Sequence, residues 1–186
     1  MSEIKSKFAR SVGLGEHAMV VCDNDRERDL LAIQFLQMEV ERDDFVIVFE
    51  GNRKHFLSLV RKRHELLKAL KSGRMVFLNK KQIFEMEDSA AGFSKRLMEL
   101  ISNSKKSGRR LSFLGFIPPP TYDKIGLQHG IEKILDNCNS TPPPIILCIY
   151  SKEGLASLNL NDLLLIYNSH DSMLLKNEIL RRSKVN

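Results

Sequence analysis

The sequence contains no tryptophan, only three cysteines and no long apolar run. Because a helix needs about 18 consecutive apolar residues to cross a bilayer, we expect no membrane-spanning segment. The first residues, MSEIKSKFARS, carry no hydrophobic stretch of the secretory type. We therefore expect a cytoplasmic protein without a membrane partner.

The three cysteines, Cys22, Cys138 and Cys148, are scattered and form no CxxC pair and no Cys/His spacing typical of metal ligands. Their odd number and their apolar surroundings favour reduced thiols that pack as small hydrophobic side chains. Paired-histidine and carboxylate-rich metal signatures are also missing. The sequence therefore predicts no metal site and no cofactor.

The composition is that of a globular protein, since 42% of the 186 residues are hydrophobic and 28% are charged. This length lies within the range of one domain and is long enough to bury a sizeable core. We predict a single domain over residues 1–186, with its core at about 13–175 and a C-terminal helix that continues towards the end.

The net charge of +6 raises the question of an acidic partner such as nucleic acid. Most basic residues alternate with apolar ones at helical spacing, which favours solvated helix faces over one binding stripe. No aromatic-rich RNA-binding strand is evident. Nucleic-acid binding therefore stays an alternative. The basic segments are residues 61–74, 105–110 and 181–184.

Short apolar runs alternate with longer amphipathic stretches along the chain. The runs predict strands at residues 17–22, 45–49, 75–78, 111–114 and 145–150. The stretches between and after them predict helices at about 25–43, 53–71, 93–104, 122–137 and 159–182. The run at residues 45–49 is apolar without alternation, which fits a parallel strand that is covered on both faces. The pattern predicts an α/β fold of three layers, with a mostly parallel sheet and helices on both faces.

Two of these segments carry a resemblance. The run Leu31-Ala-Ile-Gln-Phe-Leu36 and the following Phe45-Val-Ile-Val-Phe-Glu50 resemble the helix after the P-loop and the second strand of RecA/KaiC-like ATPases. In that family, a glycine-rich GxxxxGK[ST] loop precedes the helix. Here residues 23–29, DNDRERD, stand in that place.

This segment lacks what a phosphate-binding loop requires. It has no glycine to turn backbone N–H groups inward, and Arg28 and Asp29 stand where the resemblance would place Lys and Ser/Thr. Asp25 and Glu27 add carboxylates, and each like-charge contact with a phosphate at about 4 Å would cost on the order of 4 kcal/mol. The fourth strand also ends without an acidic residue. We therefore expect no ATPase activity.

A closer resemblance is to the MEDS domain, the methanogen and methylotroph sensory domain, which is a RecA/KaiC relative without a functional P-loop. It rests on Gly15-Glu16-His17, residues 23–25, Leu147-Cys-Ile-Tyr150 and His170, and it covers about residues 13–175. Members usually carry a glycine and an acidic residue after the fourth strand, where this chain has Gly115-Phe116. The resemblance implies a sensory or signalling role.

Candidate ligand-binding residues follow from these motifs and from the rule that ligands of open α/β sheets lie outside the carboxyl ends of the strands. For both histidines a structural role is the competing reading, and for Tyr150 a core aromatic role is equally supported. No assembled catalytic group is recognisable. The candidates are His17, Asp23, Asp25, Arg28, Glu50, Asn52, Tyr150 and His170.

The leading hypothesis is a non-catalytic sensory or regulatory module that binds an unidentified small molecule or a regulatory protein. The sequence also leaves open a homo-oligomer. One alternative is a basic nucleic-acid-associated protein. Another is an enzyme at the strand ends that uses Glu50 as a base with His17 nearby.

Overall fold

The computed structural model describes residues 3–50, 54–79, 89–116, 141–175 and 178–181. The strands in these ranges are β1 (His17–Cys22), β2 (Phe45–Glu50), β3 (Met75–Asn79), β4 (Leu111–Phe116), β5 (Ile145–Ser151), β6 (Ser172–Leu175) and β7 (Glu178–Arg181). The helices are α1 (Glu3–Ser11), α2 (Asp25–Glu41), α3 (Lys54–Arg61), α4 (His64–Lys71), α5 (Ser89–Lys106), α6 (Lys152–Ala156) and α7 (Leu160–Asn168). The helix predicted at 122–137 lies outside the described residues.

The seven strands form one sheet in the order β3-β2-β4-β5-β1-β6-β7. Every neighbouring pair is parallel except β6 and β7, which are antiparallel. The prediction of a mostly parallel sheet is therefore confirmed.

Helices cover both faces of this sheet. Successive side chains of a strand point to opposite faces, and in β1 Ala18 and Val20 pack with α1 to α4 while Met19 packs with α5 to α7. Two hydrophobic clusters result, one on each side of the sheet. This explains the unbroken apolar runs, because both faces of each central strand are buried. The predicted three-layer α/β arrangement is confirmed.

The single helix predicted up to Lys71 is wrong, because the chain forms α3 and α4 with a break between them. Phe56 and Val60 are buried at a spacing of one helical turn, but Leu66 lies six residues after Val60 and is also fully buried. An uninterrupted helix would turn Leu66 away from the face that Val60 buries. The break, where Arg63 adopts an extended conformation, brings both side chains to the core.

The predicted C-terminal helix over about 159–182 is also wrong beyond Asn168. Ser169 ends α7, and the chain then enters β6 beside β1 and β7 at the edge of the sheet. Asp171 anchors this return, because its backbone N–H donates to the carbonyl of His17 at 2.7 Å and its side chain accepts the N–H of His17 at 3.1 Å. The apolar residues after Asp171 are thus used in strand pairing.

Helix α1 was not anticipated from the sequence. It buries Phe8 and Ala9 against the core and brings Lys5 to the amino end of α2. Among the helices that the structure describes, none combines the length and the apolarity that a membrane crossing requires.

Candidate functional site

The amino end of α2 occupies the position where the sequence resemblance would place a P-loop. Asn24 is the N-cap, and its side chain accepts the N–H of Glu27 at 2.9 Å. Glu27 in turn accepts the backbone N–H of Asp23 at 3.0 Å. This reciprocal arrangement is close to a capping box, in which the chain satisfies its own first-turn N–H groups.

Lys5 approaches the same point from α1. Its ammonium donates to Glu27 at 2.7 Å and to Asp23 at 3.2 Å, and the side chain is only 2% exposed. Burial alone would lower the pKa of Lys5, but hydrogen bonds to Glu27 and Asp23 outweigh it and raise the pKa above its usual value. Lys5 therefore stays charged, with carboxylates as its partners.

Arg28 forms a second ion-pair group in the first turn of α2. It donates to Asp25 at 2.6 Å and to Asp29 at 2.9 Å. Burial raises the pKa of Asp29, and the charge of Arg28 opposes this rise. His55 of α3 lies 3.7 Å from Asp29. Lys5 and Arg28, the two buried cations that the structure describes here, are thus engaged by carboxylates of the chain itself.

These contacts place a carboxylate at the amino end of α2. A helix amino end attracts phosphate through its N–H groups and its dipole. Here Glu27 brings a carboxylate to that place, and both Lys5 and the N–H of Asp23 bind it. An incoming phosphate would have to displace Glu27 from Lys5 and then face the remaining carboxylates.

A second cluster lies under the other face of the sheet, around His17. In the register of β1 and β5, Met19 is opposite Cys148, so His17 is one diagonal step from Cys148. Nε2 of His17 is 3.3 Å from the sulfur of Cys148, and both residues are buried.

His170 completes this cluster from the end of α7. Its Nδ1 donates to the carbonyl of Ile166 at 2.6 Å, and its ring centroid is 4.2 Å from that of His17. Burial lowers the pKa of His170 well below 6.5, the charge of His17 adds to this, and the hydrogen bond to Ile166 opposes it. His170 is therefore neutral, with its proton on Nδ1. Within the described part of the chain, its buried Nε2 has no hydrogen-bond partner.

Tyr150 encloses the cluster on one side. Its ring contacts that of His170 edge to face, with centroids 6.0 Å apart, and it is almost fully buried in the core. One ring nitrogen from each histidine and the sulfur of Cys148 lie within 4.8 Å of one another. Neutral imidazoles and a cysteine sulfur are side chains of the types that bind transition metals.

The predicted site residues thus fall into two separate groups. His17, Tyr150 and His170 meet in the buried cluster, whereas Asp23, Asp25 and Arg28 meet at the amino end of α2. His17 is the first residue of β1 and Glu50 the last residue of β2, so the predicted proximity of the two is wrong: they lie at opposite ends of the sheet. The side chain of Glu50, and Asn52 as a whole, lie outside the described residues.

Sequence reasoning missed Lys5 and Cys148, and it named Glu27 only as a carboxylate that would oppose a phosphate. Lys5 and Glu27 form the ion pair at the amino end of α2, and Cys148 lies 3.3 Å from His17 in the buried cluster. Glu27 stands three residues after Asn24, a spacing typical of a capping box, and it could have been recognised from this. Lys5 and Cys148 carry no such local signal.

A buried carboxyl pair lies at the end of the sheet where β2 and β4 begin. Ser112 lies 2.5 Å from an oxygen of Glu39 and 2.9 Å from an oxygen of Asp44, and Arg110 binds Asp44 at 2.8 and 3.1 Å. Burial, together with the hydrogen bond to Asp44, raises the pKa of Glu39 to about 7, against the opposing effect of Ser112. Glu39 therefore keeps its proton up to near neutral pH.

A groove of about 630 Å³ opens at the same end of the sheet. The predicted basic segments 61–74 and 105–110 converge on it, through Lys68, Arg74 and Arg109. Three carboxylates, Glu41, Asp43 and Glu65, line the same groove and offset this charge, and Asp43 accepts hydrogen bonds from both Arg74 and Arg109. These two interactions lower the pKa of Asp43, with Arg74 as the larger cause.

Comparison with known proteins adds no family to these findings. No protein-family model and no curated protein sequence matches the chain. The resemblance to the MEDS domain and to RecA/KaiC proteins therefore stays a prediction from the motifs quoted above.

Proposed function

We propose that this chain is a non-catalytic sensory or regulatory module, which binds a small molecule or a regulatory protein and does not hydrolyse nucleotides. One observation carries the proposal: the amino end of α2 is filled by Glu27, which Lys5 and the backbone of Asp23 hold in place. A phosphate-transfer enzyme needs this position free for its substrate.

The arrangement of the other polar groups supports the same proposal. Arg28 is bound by Asp25 and Asp29, so it is not presented to a substrate. The second polar cluster, around His17, is buried under one face of the sheet. It lies away from the carboxyl ends of the strands, where α/β enzymes bind their substrates. The sheet and helices thus supply a scaffold, and recognition of a ligand or partner is the role that the scaffold fits best.

Native mass spectrometry of the gently purified chain tests this proposal. We expect a mass in excess of the polypeptide, from a bound small molecule, a protein partner or a second copy of the chain, and the excess should disappear on denaturation. A phosphate-release assay with Mg²⁺ and ATP or GTP should give no turnover. Turnover that Lys5→Ala abolishes would contradict the proposal, because it would make Lys5 a phosphate-binding residue.

Nucleic-acid binding is the second candidate function. It is favoured by the convergence of two basic segments on the groove near Lys68. It ranks second because Asp43 already pairs with Arg74 and Arg109. A gel-shift series with increasing salt tests it: binding through phosphates should weaken steeply as salt rises. Absence of a complex at low salt would exclude it.

A further inference from the structure

Three side chains of metal-ligand type meet in the buried cluster. His17 comes from the start of β1, Cys148 from the middle of β5 and His170 from the turn after α7, and their ligand atoms lie within 4.8 Å of one another. We propose that His17, Cys148 and His170 bind one thiophilic d¹⁰ metal ion, Zn²⁺ or Cu⁺. This proposal does not depend on the proposed function, since it concerns a different face of the sheet.

The state of His170 is the strongest support. Its Nδ1 proton is donated to the carbonyl of Ile166, which leaves the lone pair on Nε2. Metal-binding histidines usually have this arrangement, with the second ring nitrogen held by a backbone carbonyl or a carboxylate. Nε2 is buried and has no hydrogen-bond partner among the described residues. A buried acceptor without a partner is unfavourable, and a metal ion would satisfy it.

His17 and Cys148 already stand at a spacing that suits a shared ion. With bonds of about 2.0–2.1 Å to nitrogen and 2.3 Å to sulfur, two ligands of one ion lie roughly 3.3–3.8 Å apart. The distance from Nε2 of His17 to the sulfur of Cys148 is 3.3 Å. The remaining separations, up to 4.8 Å, require a movement of about 1 Å at His170 or its neighbours.

The donor set decides the class of ion. Hard cations such as Mg²⁺ and Ca²⁺ prefer oxygen ligands, whereas thiolate and imidazole favour Zn²⁺ and Cu⁺. Binding requires Cys148 as a thiolate, so its thiol proton is released to solvent as the metal–sulfur bond forms. With one thiolate and two neutral imidazoles, Cu⁺ would leave the buried site neutral and Zn²⁺ would leave it with one positive charge. Because a net charge is unfavourable in a buried site, binding of Cu⁺ is favoured over binding of Zn²⁺.

The fold holds this cluster from several sides. Asp171, next to His170, exchanges two hydrogen bonds with the backbone of His17, and this ties the two ligand segments together. Tyr150 packs against the ring of His170. The ligands thus come from elements that are fixed to one another, as a metal site requires.

The experiment uses the full chain, stripped of metal with chelators under reducing, anaerobic conditions. One sample is titrated with Co²⁺, which reports a Zn²⁺ site through its thiolate charge-transfer absorption, and then with Zn²⁺ to displace it. A second sample is titrated with Cu⁺ in competition with bicinchoninate. We expect saturation at one ion per chain in at least one arm, with a higher melting temperature.

Matched cysteine variants locate the site. Cys148→Ser should weaken binding by roughly 100-fold or more. Cys22→Ser, at the other buried thiol, and Cys138→Ser should leave it unchanged. His170→Gln should weaken binding in the same arm as Cys148→Ser. If metal binding is lost in Cys138→Ser and retained in Cys148→Ser, the proposal is wrong.

The unmodified chain keeps the proposal testable even if a variant fails to fold. Absence of both a cobalt–thiolate absorption and stoichiometric Cu⁺ binding in that chain would overturn it. A result of this kind would leave the proposed regulatory function untouched, because nucleotide binding and ligand capture are measured separately.

Discussion

Glu39→Gln tests the carboxyl pair at the start of β2 and β4. Glu39 is fully buried, and burial together with Asp44 raises its pKa from 4.5 to about 7. In the unfolded chain Glu39 loses its proton near 4.5, but in the native protein it keeps the proton up to about 7. Between these values the native state binds more protons, so the free energy of unfolding falls as the pH rises.

The size of this loss follows from the same shift. A difference of roughly 2.5 pKa units at 1.36 kcal/mol each corresponds to about 3 kcal/mol, which is present below about pH 4.5 and fully lost above about pH 7. Glutamine resembles the protonated acid, because its amide can donate to Asp44 while its carbonyl accepts from Arg42, which already binds the other oxygen of Glu39. Glu39→Gln should therefore remove this part of the pH dependence.

The assay is urea denaturation followed by far-UV circular dichroism, since the chain has no tryptophan. His170 has the opposite effect: its lowered pKa makes stability fall as the pH drops below 6.5. We therefore compare wild type with Glu39→Gln, where this contribution cancels. The difference between the unfolding free energies of Glu39→Gln and wild type should change by about 3 kcal/mol in favour of the variant as the pH rises from about 4.5 to 8. Glu41→Gln, at an exposed position of α2, is the control. Its unfolding free energy should differ from that of wild type by the same amount at every pH. Parallel curves for wild type and Glu39→Gln would refute the reasoning.

Substitutions at Lys5, Asn24 and Gly73, each with a matched second variant, test local contacts by the same denaturation assay near pH 7. Lys5→Met should destabilise the chain by about 3 kcal/mol because Glu27 is left buried without its cation, and adding Glu27→Gln should restore part of the loss; no recovery would argue against the pair. Asn24→Ala should cost about 1 kcal/mol through the lost N-cap, while Asn24→Asp should be nearly neutral. Gly73→Ala should cost about 1 kcal/mol from its φ of +73° alone, as no atom lies within 4 Å of an added Cβ. Gly73→Asn should cost less, and an equal loss would point to a different cause.

The central sheet was predictable because its strands are buried on both faces. An unbroken run such as Ile145 to Tyr150 has few alternatives to a covered strand, and its boundaries agree with β5 within one residue. The helices were harder. Val60 and Leu66 each fit a helical stripe, and only their mutual phase, set by packing, reveals the break between α3 and α4.

The helix predicted over about 159–182 was wrong beyond Asn168 for a similar reason. Residues 172–181 are rich in leucine and isoleucine, and their spacing fits a helix as well as a hairpin. Residues 172–175 form a strand because they pair with β1, and the hydrogen bond between Asp171 and His17 anchors this pairing. That pairing joins positions far apart in the sequence, which local pattern cannot show.

The candidate site was predictable only in parts. His17, Tyr150 and His170 were recognised, but Cys148 was interpreted as a small core residue. Its closeness to His17 depends on the register of β1 with β5, between positions 131 residues apart. The α2 end was interpreted as an altered P-loop from its resemblance to RecA/KaiC-like proteins, and this interpretation stays a prediction. That Lys5 closes it could not be foreseen, because α1 was not predicted to pack there.

Isothermal titration of the full chain with ATP and Mg²⁺ tests the central claim most directly. Because the carboxylate of Glu27 lies at the amino end of α2 and binds Lys5, we expect no detectable binding of ATP by wild type, and none by an Asn24→Asp control. Micromolar binding of Mg-ATP by wild type, weakened by Lys5→Ala, would show that the position opens to phosphate and would contradict the account.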